Sequence, residues 1–235
     1  MRNSIVMKNL ITFSLFILIA VTGCRFSSIG DVKGKVDTVI PDIKNSQLNK
    51  LLYLKKQNVT DELNIKSIEK GVDSLEIRIW TLAGTARGGE VYIIRKSRYK
   101  WNCYHYWFIE RVSASGNRNN QGYSFEELST AGLDTFWIKK EVPRSGWNRF
   151  ISKLDNSEIY RLESYDDVSI EVREKINTYS FIIEYAMKNK YRLFWYNCSD
   201  VYRDCEKCRQ MMGVLRLVDN EFNFSNSLLG NYRCR

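Results

Sequence analysis

Hydrophobic and polar positions alternate along several stretches of the chain. In Ser74 to Leu82, SLEIRIWTL, Leu75, Ile77 and Ile79 fall on one side and Glu76, Arg78 and Trp80 on the other. That two-residue period predicts a strand. Gly84 to Gly89, GTARGG, reads as a turn. Glu90 to Lys96 (EVYIIRK) and Trp101 to Val112 (WNCYHYWFIERV) are aromatic and β-branched, which suits a pleated surface. The three segments predict an antiparallel meander. Ser113 to Gly122 reads as a loop. Thr135 to Val142 (TFWIKKEV) predicts a further strand, stopped by Pro143. Thr178 to Met187 and Lys190 to Asn197 flank Lys188-Asn189. Asn189 tolerates a left-handed backbone, so a hairpin is expected.

A longer period marks the helices. Gln47 to Gln57 carries Leu48, Leu51, Leu52 and Leu54 near helical spacing. Gly146 to Leu154 places Trp147, Phe150, Ile151 and Leu154 at i, i+3, i+4 and i+7, an amphipathic helix. A last helix is expected from about Asp200 to Phe222, with Ser199 or Asp200 as N-cap. Its apolar stripe runs through Val201, Cys205, Cys208, Met212, Leu215 and Phe222, with Arg203, Lys207 and Gln210 on the solvated side. The elements predict an α+β fold: a mostly antiparallel sheet of five to six strands, with the 146–155 and 200–222 helices packed on it. The 179–196 hairpin is apolar on both faces. Covered on one face only, it leaves aromatics exposed; the alternative, which the sequence favours, is burial by the Trp147 helix or the N-terminal helix. Tyr179, Phe181, Tyr185, Phe194, Trp195 and Tyr196 are therefore a candidate binding face.

The N-terminus has a different character. Arg2 and Lys8 precede an apolar run from Leu10 to Val21, too short to span a bilayer comfortably. The run ends Val21-Thr22-Gly23-Cys24. This resembles the lipobox of bacterial lipoproteins, in which the cysteine is acylated and becomes the first mature residue. The resemblance implies a signal peptide over 1–23 and a lipid on Cys24. It places the protein in the bacterial cell envelope, held at a membrane by acyl chains. Arg25 follows Cys24, where an Asp would resemble the inner-membrane retention signal. An outer-membrane protein facing the periplasm is expected. Residues 24–45, polar and punctuated by Gly30, Gly34 and Pro41, read as a flexible tether. Residues 46–235 read as one domain.

Charge narrows the partners. The 235-residue chain carries a net +9, and removing Arg2 and Lys8 leaves +9 − 2 = +7. The basic residues are dispersed with no run of five, which reads as a solvated surface. Outside the cytoplasm no nucleic-acid partner is expected. An envelope protein or a glycan remains, alongside the membrane itself.

The cysteines are the obvious chemistry. NCSDVYRDCEKC holds Cys198, Cys205 and Cys208, and Cys103 and Cys234 lie elsewhere. A redox C-x-x-C needs its first thiolate at a helix N-terminus. The expected helix start puts Cys205 more than a turn inside. A zinc site would need a fourth ligand such as His105 or Cys234, and only one knuckle is present. No metal or cofactor is expected. Packing along the helical stripe explains Cys205 and Cys208, as free cysteine behaves like a small hydrophobe. An oxidising compartment permits a disulfide among Cys198, Cys205, Cys208 and Cys234. His105, the only histidine, shares a strand face with Cys103 and Trp107. At i, i+2 the two are roughly 6–7 Å apart, too far for a direct hydrogen bond. It reads as an ordinary strand histidine. The acidic pairs Glu126-Glu127 and Asp166-Asp167 would serve acid–base chemistry only if opposed across a cleft.

The second half resembles a group of uncharacterised lipoproteins from Bacteroidetes-type bacteria. Shared features are the EIRIW strand (Glu76–Trp80), a helix beginning Gly146-Trp147 and ending near Leu154, and the strand Tyr179–Glu184. The strand start Lys190–Arg192 and a final helix ending Asn220–Phe222 complete the order, over most of residues 70–224. In that group the segment matching Cys198–Cys208 usually carries other residues, and the resemblance implies no activity. The expectation is a non-enzymatic binding domain, acting through the sheet face or the 113–133 loop. The alternative is an envelope hydrolase or transferase with a carboxylate-based site.

Overall fold

A computed structural model describes residues 35–41, 43–44, 47–82, 87–111, 130–162, 180–197 and 206–222, with only the backbone for 47, 48, 197 and 206–208. The chain parts into two units, Met1–Lys35 and Val36–Arg235, and the elements below belong to the second. Seven strands form one sheet: β1 (Asp37–Val39), β2 (Leu75–Leu82), β3 (Gly89–Ser97), β4 (Lys100–Glu110), β5 (Leu133–Glu141), β6 (Ser180–Met187) and β7 (Lys190–Asn197). Their order is β1-β7-β6-β2-β3-β4-β5. The expected meander is β2–β3–β4–β5 and the expected hairpin is β6–β7, joined where β6 pairs with β2.

The strand count and the pairing correct the sequence reading. β1 runs parallel to β7, with Asp37 opposite Lys190 and Val39 opposite Arg192. The sheet is mixed and seven-stranded, not a mostly antiparallel one of five to six. Three residues are too few to display an alternation, and the partner strand is distant in sequence. β1 also lies inside the stretch read as tether, so the folded unit starts by residue 36 rather than 46. Arg192 secures it by donating to the Asp37 backbone carbonyl at 2.8 Å and to its carboxylate.

Among the described residues three helices, not two, accompany the sheet: α1 (Gln47–Glu62), α2 (Trp147–Asn156) and α3 (Glu206–Phe222). They sort onto opposite faces. Phe150 and Leu154 of α2 and Met211, Val214, Val218 and Phe222 of α3 pack on Ile77, Ile79, Tyr92, Ile94 and Cys103. Leu52 and Val59 of α1, with Leu63, Ile65 and Ile68 just after it, pack on Trp80, Val91, Ile93, Phe108 and Leu193. Apolar burial on both faces supplies the main driving force for this three-layer arrangement. In α3 the buried stripe passes through Met211, while Met212 is only half-buried. The expected stripe was drawn one residue late at that turn.

Glu221 fastens α3 to the start of α2. It accepts from the Ser145 amide at 2.8 Å, the Ser145 hydroxyl at 2.8 Å and Lys153 Nζ at 2.7 Å. On the other side, the turn after α1 is closed against the β6–β7 hairpin at Gly71. Its φ is +79°, and a Cβ there would meet the Lys188 carbonyl oxygen at 2.5 Å and that of Met187 at 2.8 Å. Gly71→Ala is therefore strained in backbone and in space. It is expected to lower stability by about 2 kcal/mol, read as a lower urea midpoint; an unchanged midpoint would contradict this packing.

Candidate functional site

The polar residues of α1 do not face water. Leu52, Lys55, Lys56 and Val59 follow one another at i, i+3, i+4 and i+7, and all four are buried. The helix thus presents two lysines to the sheet along its own apolar stripe. Lys56 Nζ lies 3.0 Å from Glu184 Oε1 and 3.1 Å from Glu69 Oε1. Glu184, in the middle of β6, also accepts from Trp80 Nε1 at 2.7 Å and Tyr191 OH at 2.7 Å. Burial pushes its carboxyl upward, but the Lys56 and Arg78 charges and the Tyr191 hydroxyl outweigh that and hold it at about 2. Alongside, Arg78 Nε meets Glu76 at 2.8 Å, and Arg95 reaches the other Glu76 oxygen. Lys55 pairs with Glu110 at 2.7 Å. Burial pushes Lys55 down against the pull of that carboxylate. Among the described residues this is the largest concentration of buried charge. Its carboxylates are committed to cations and donors, which suits a structural role.

The opposite face holds a second polar contact. Glu90 on β3 and His105 on β4 are fully buried, with His105 Nε2 2.7 Å from Glu90 Oε2. Tyr92 and Trp107 flank the imidazole, each with its ring centroid 3.6 Å away. Burial, and secondarily the Lys139 charge, push His105 down to about 3. The imidazole is therefore neutral near pH 7, and the contact is one shared proton rather than an ion pair. His105 is more than an ordinary strand histidine, but it is sealed from solvent. Its neighbour Cys103 is free and buried, and burial pushes its thiol up. A protonated, enclosed thiol is no nucleophile.

The candidate binding face is not exposed. Phe181, Tyr185, Phe194, Trp195 and Tyr196 are all buried, because α2 and α3 cover one face of the hairpin and α1 the other. Tyr179 lies outside the described residues, as do Cys24, Cys198, Cys205 and Cys234, the acidic pairs 126–127 and 166–167, and the 113–129 part of the loop. Cys208 falls within α3, with only its backbone described. Among the described residues no cluster of metal-ligating side chains occurs.

What the structure leaves uncovered is β5. Among the described residues it forms one end of the sheet and pairs only with β4. Phe136 is 44%, Trp137 50%, Ile138 52% and, just past the strand, Val142 63% exposed. Lys139 and Lys140 are exposed beside them. Consecutive residues of a strand point to opposite faces, so neither helical layer covers 136–138, while Leu133 at the start of the strand is buried with the α1 cluster. An edge strand with bare apolar residues is a template for another chain. The run Phe136-Trp137-Ile138-Lys139-Lys140 was visible in the sequence as a strand, but its position at the sheet edge was not.

Two outcomes follow from the buried groups. An unfolded imidazole titrates near 6.5, whereas folded His105 stays neutral to about 3. Between those values the unfolded chain binds the extra proton, so stability falls as pH drops. Glu184 adds a loss only lower, from its usual 4.5 toward about 2. The melting temperature should therefore fall between pH 6.5 and 5, and His105→Gln should flatten that slope; an equal slope in the variant would refute a neutral His105. Lys56→Met removes a cation from a buried carboxylate and is expected to cost about 3 kcal/mol at pH 7, measured by urea unfolding, while the exposed Arg161→Met should cost about 0.5 kcal/mol or less. Compared with protein-family models, with curated proteins and with solved structures, the chain matches none.

Proposed function

We propose that the protein is a lipid-anchored component of the bacterial cell envelope that binds a protein partner by strand addition at β5 and catalyses no reaction. The single observation that carries the binding reading is the bare edge of β5, with Phe136, Trp137 and Ile138 each near half exposure. Main-chain groups on an open edge supply affinity, and alternate side chains supply specificity. Anchoring is supported by the lipobox-like Val21-Thr22-Gly23-Cys24 and the basic, apolar, small-residue order before it. Arg25, rather than an Asp, after Cys24 favours the outer membrane, facing the periplasm, and the anchor agrees with the resemblance to Bacteroidetes-type lipoproteins. A glycan is the less favoured ligand, because the hairpin aromatics that would stack on sugars are buried. The hydrolase or transferase reading draws no support from Glu76, Glu90, Glu110 and Glu184, which are buried and held by partners.

The test uses the full chain in a bacterial host. Wild type should take up labelled palmitate and form formaldehyde adducts with envelope proteins. Cys24→Ala should lose the label, and Trp137→Arg with Ile138→Arg should lose the adducts while keeping the melting temperature. Equal labelling would overturn the anchor; adducts indifferent to the β5 changes would overturn the binding surface.

A further inference from the structure

We infer that the partner of β5 is a second copy of this chain, paired antiparallel edge to edge with Trp137 facing Trp137. The inference names the occupant of the surface proposed above and rests on that reading. A strand edge meeting its own copy obeys a two-fold axis normal to the sheet. That axis keeps each face continuous, so only registers in which a residue faces itself are allowed. Three are centred on the exposed run. Centred on Phe136, Asp134 meets Ile138 and Lys140 meets Gly132. Centred on Ile138, Phe136 meets Lys140 and Trp137 meets Lys139, which sets each exposed aromatic against a charge. Centred on Trp137, Phe136 meets Ile138, Trp137 meets itself and Asp134 meets Lys140, twice over by symmetry.

Only the last register sets apolar against apolar and anion against cation. Aromatic, aromatic–β-branched and opposite-charge cross-strand pairs are the stabilising kinds. It also keeps the lysines apart: Lys139 falls opposite Thr135 rather than another lysine. Lysines on an edge guard against pairing when they meet each other, and in this register they do not. Asp134 is available for the contact. It has no partner in the β4 ladder, which shifts register beside it, and its side chain is 55% exposed. Its nearest cation, Arg87, is also exposed and stands 3.6 Å away. Phe136, Trp137, Ile138 and Lys140 take no hydrogen bond or ion pair through their side chains among the described residues, so the exposed Arg87 is the one side chain that competes for Asp134. One strand pair is a small interface. Confinement of both copies to a membrane by the proposed anchor raises their effective concentration, which makes a small interface sufficient.

The test is a charge exchange between two full-length copies carrying different epitope tags in one cell. Wild type should capture wild type. Asp134→Lys with itself, and Lys140→Asp with itself, place like charges opposite at two sites and should each reduce capture at least about tenfold. A copy with Asp134→Lys beside a copy with Lys140→Asp restores both pairs and should recover capture. That recovery excludes misfolding as the cause of the single losses. Capture indifferent to either change, or a mixed pair no better than the like pairs, would overturn the inference. No self-capture, with formaldehyde adducts still lost on Trp137→Arg and Ile138→Arg, would overturn the second copy and leave β5 as the binding surface. No self-capture and adducts indifferent to those changes would overturn both.

Discussion

The carboxylate of Glu184 holds the layers together. It sits on a central strand, buried, and takes hydrogen bonds from a helix, from the strand on one side and from the strand on the other: Lys56, Trp80 and Tyr191. A buried anion without such partners is costly enough to prevent folding, and with them it fixes where each partner must stand. Helix α1 has no freedom to slide, because Lys56 would leave Glu184 and Glu69 together. Apolar packing alone tolerates small displacements between layers; a charge with directed bonds does not. Glu221 does the same for α2 and α3 on the far side. On each face of the sheet, buried carboxylates thus help set the position of the helices.

Among the described residues the period-two and helical patterns located six of the seven strands and the three helices, though α1 runs on from Gln57 to Glu62 and α3 is described from Glu206 rather than Asp200. They failed where a side chain's surroundings contradicted its chemistry. Glu76 and Arg78 fall on the charged side of the β2 alternation with Trp80, yet they are buried beneath α1 against each other and Arg95. The signal was present in α1 itself, where lysines occupy the apolar stripe beside Leu52 and Val59. A charged residue inside an apolar run, such as Glu184 in SFIIEYAM, carries the same message. The hairpin's two-sided apolar pattern was legible too. It marks a strand pair covered on both faces, and the missing cover was the first helix.

The exposure of β5 follows a different logic. The apolar run Phe136-Trp137-Ile138 in β5 gives no sign of exposure by itself, and the order of strands reveals it as an edge. Exposure depends on how many strands the helices cover, a property of the assembled sheet and not of any segment. Seven strands span more than these helices cover, and the shortfall falls on the last one.

The parallel strand β1 has a mechanical meaning. The domain begins at a strand of three residues, held to β7 by one short ladder and the Arg192–Asp37 clasp. Tension arriving along the N-terminal chain is borne there first. Six strand spacings, about 29 Å, separate that point from β5. A pull strong enough to peel the clasp spends itself at one margin of the sheet, while the opposite margin keeps its shape.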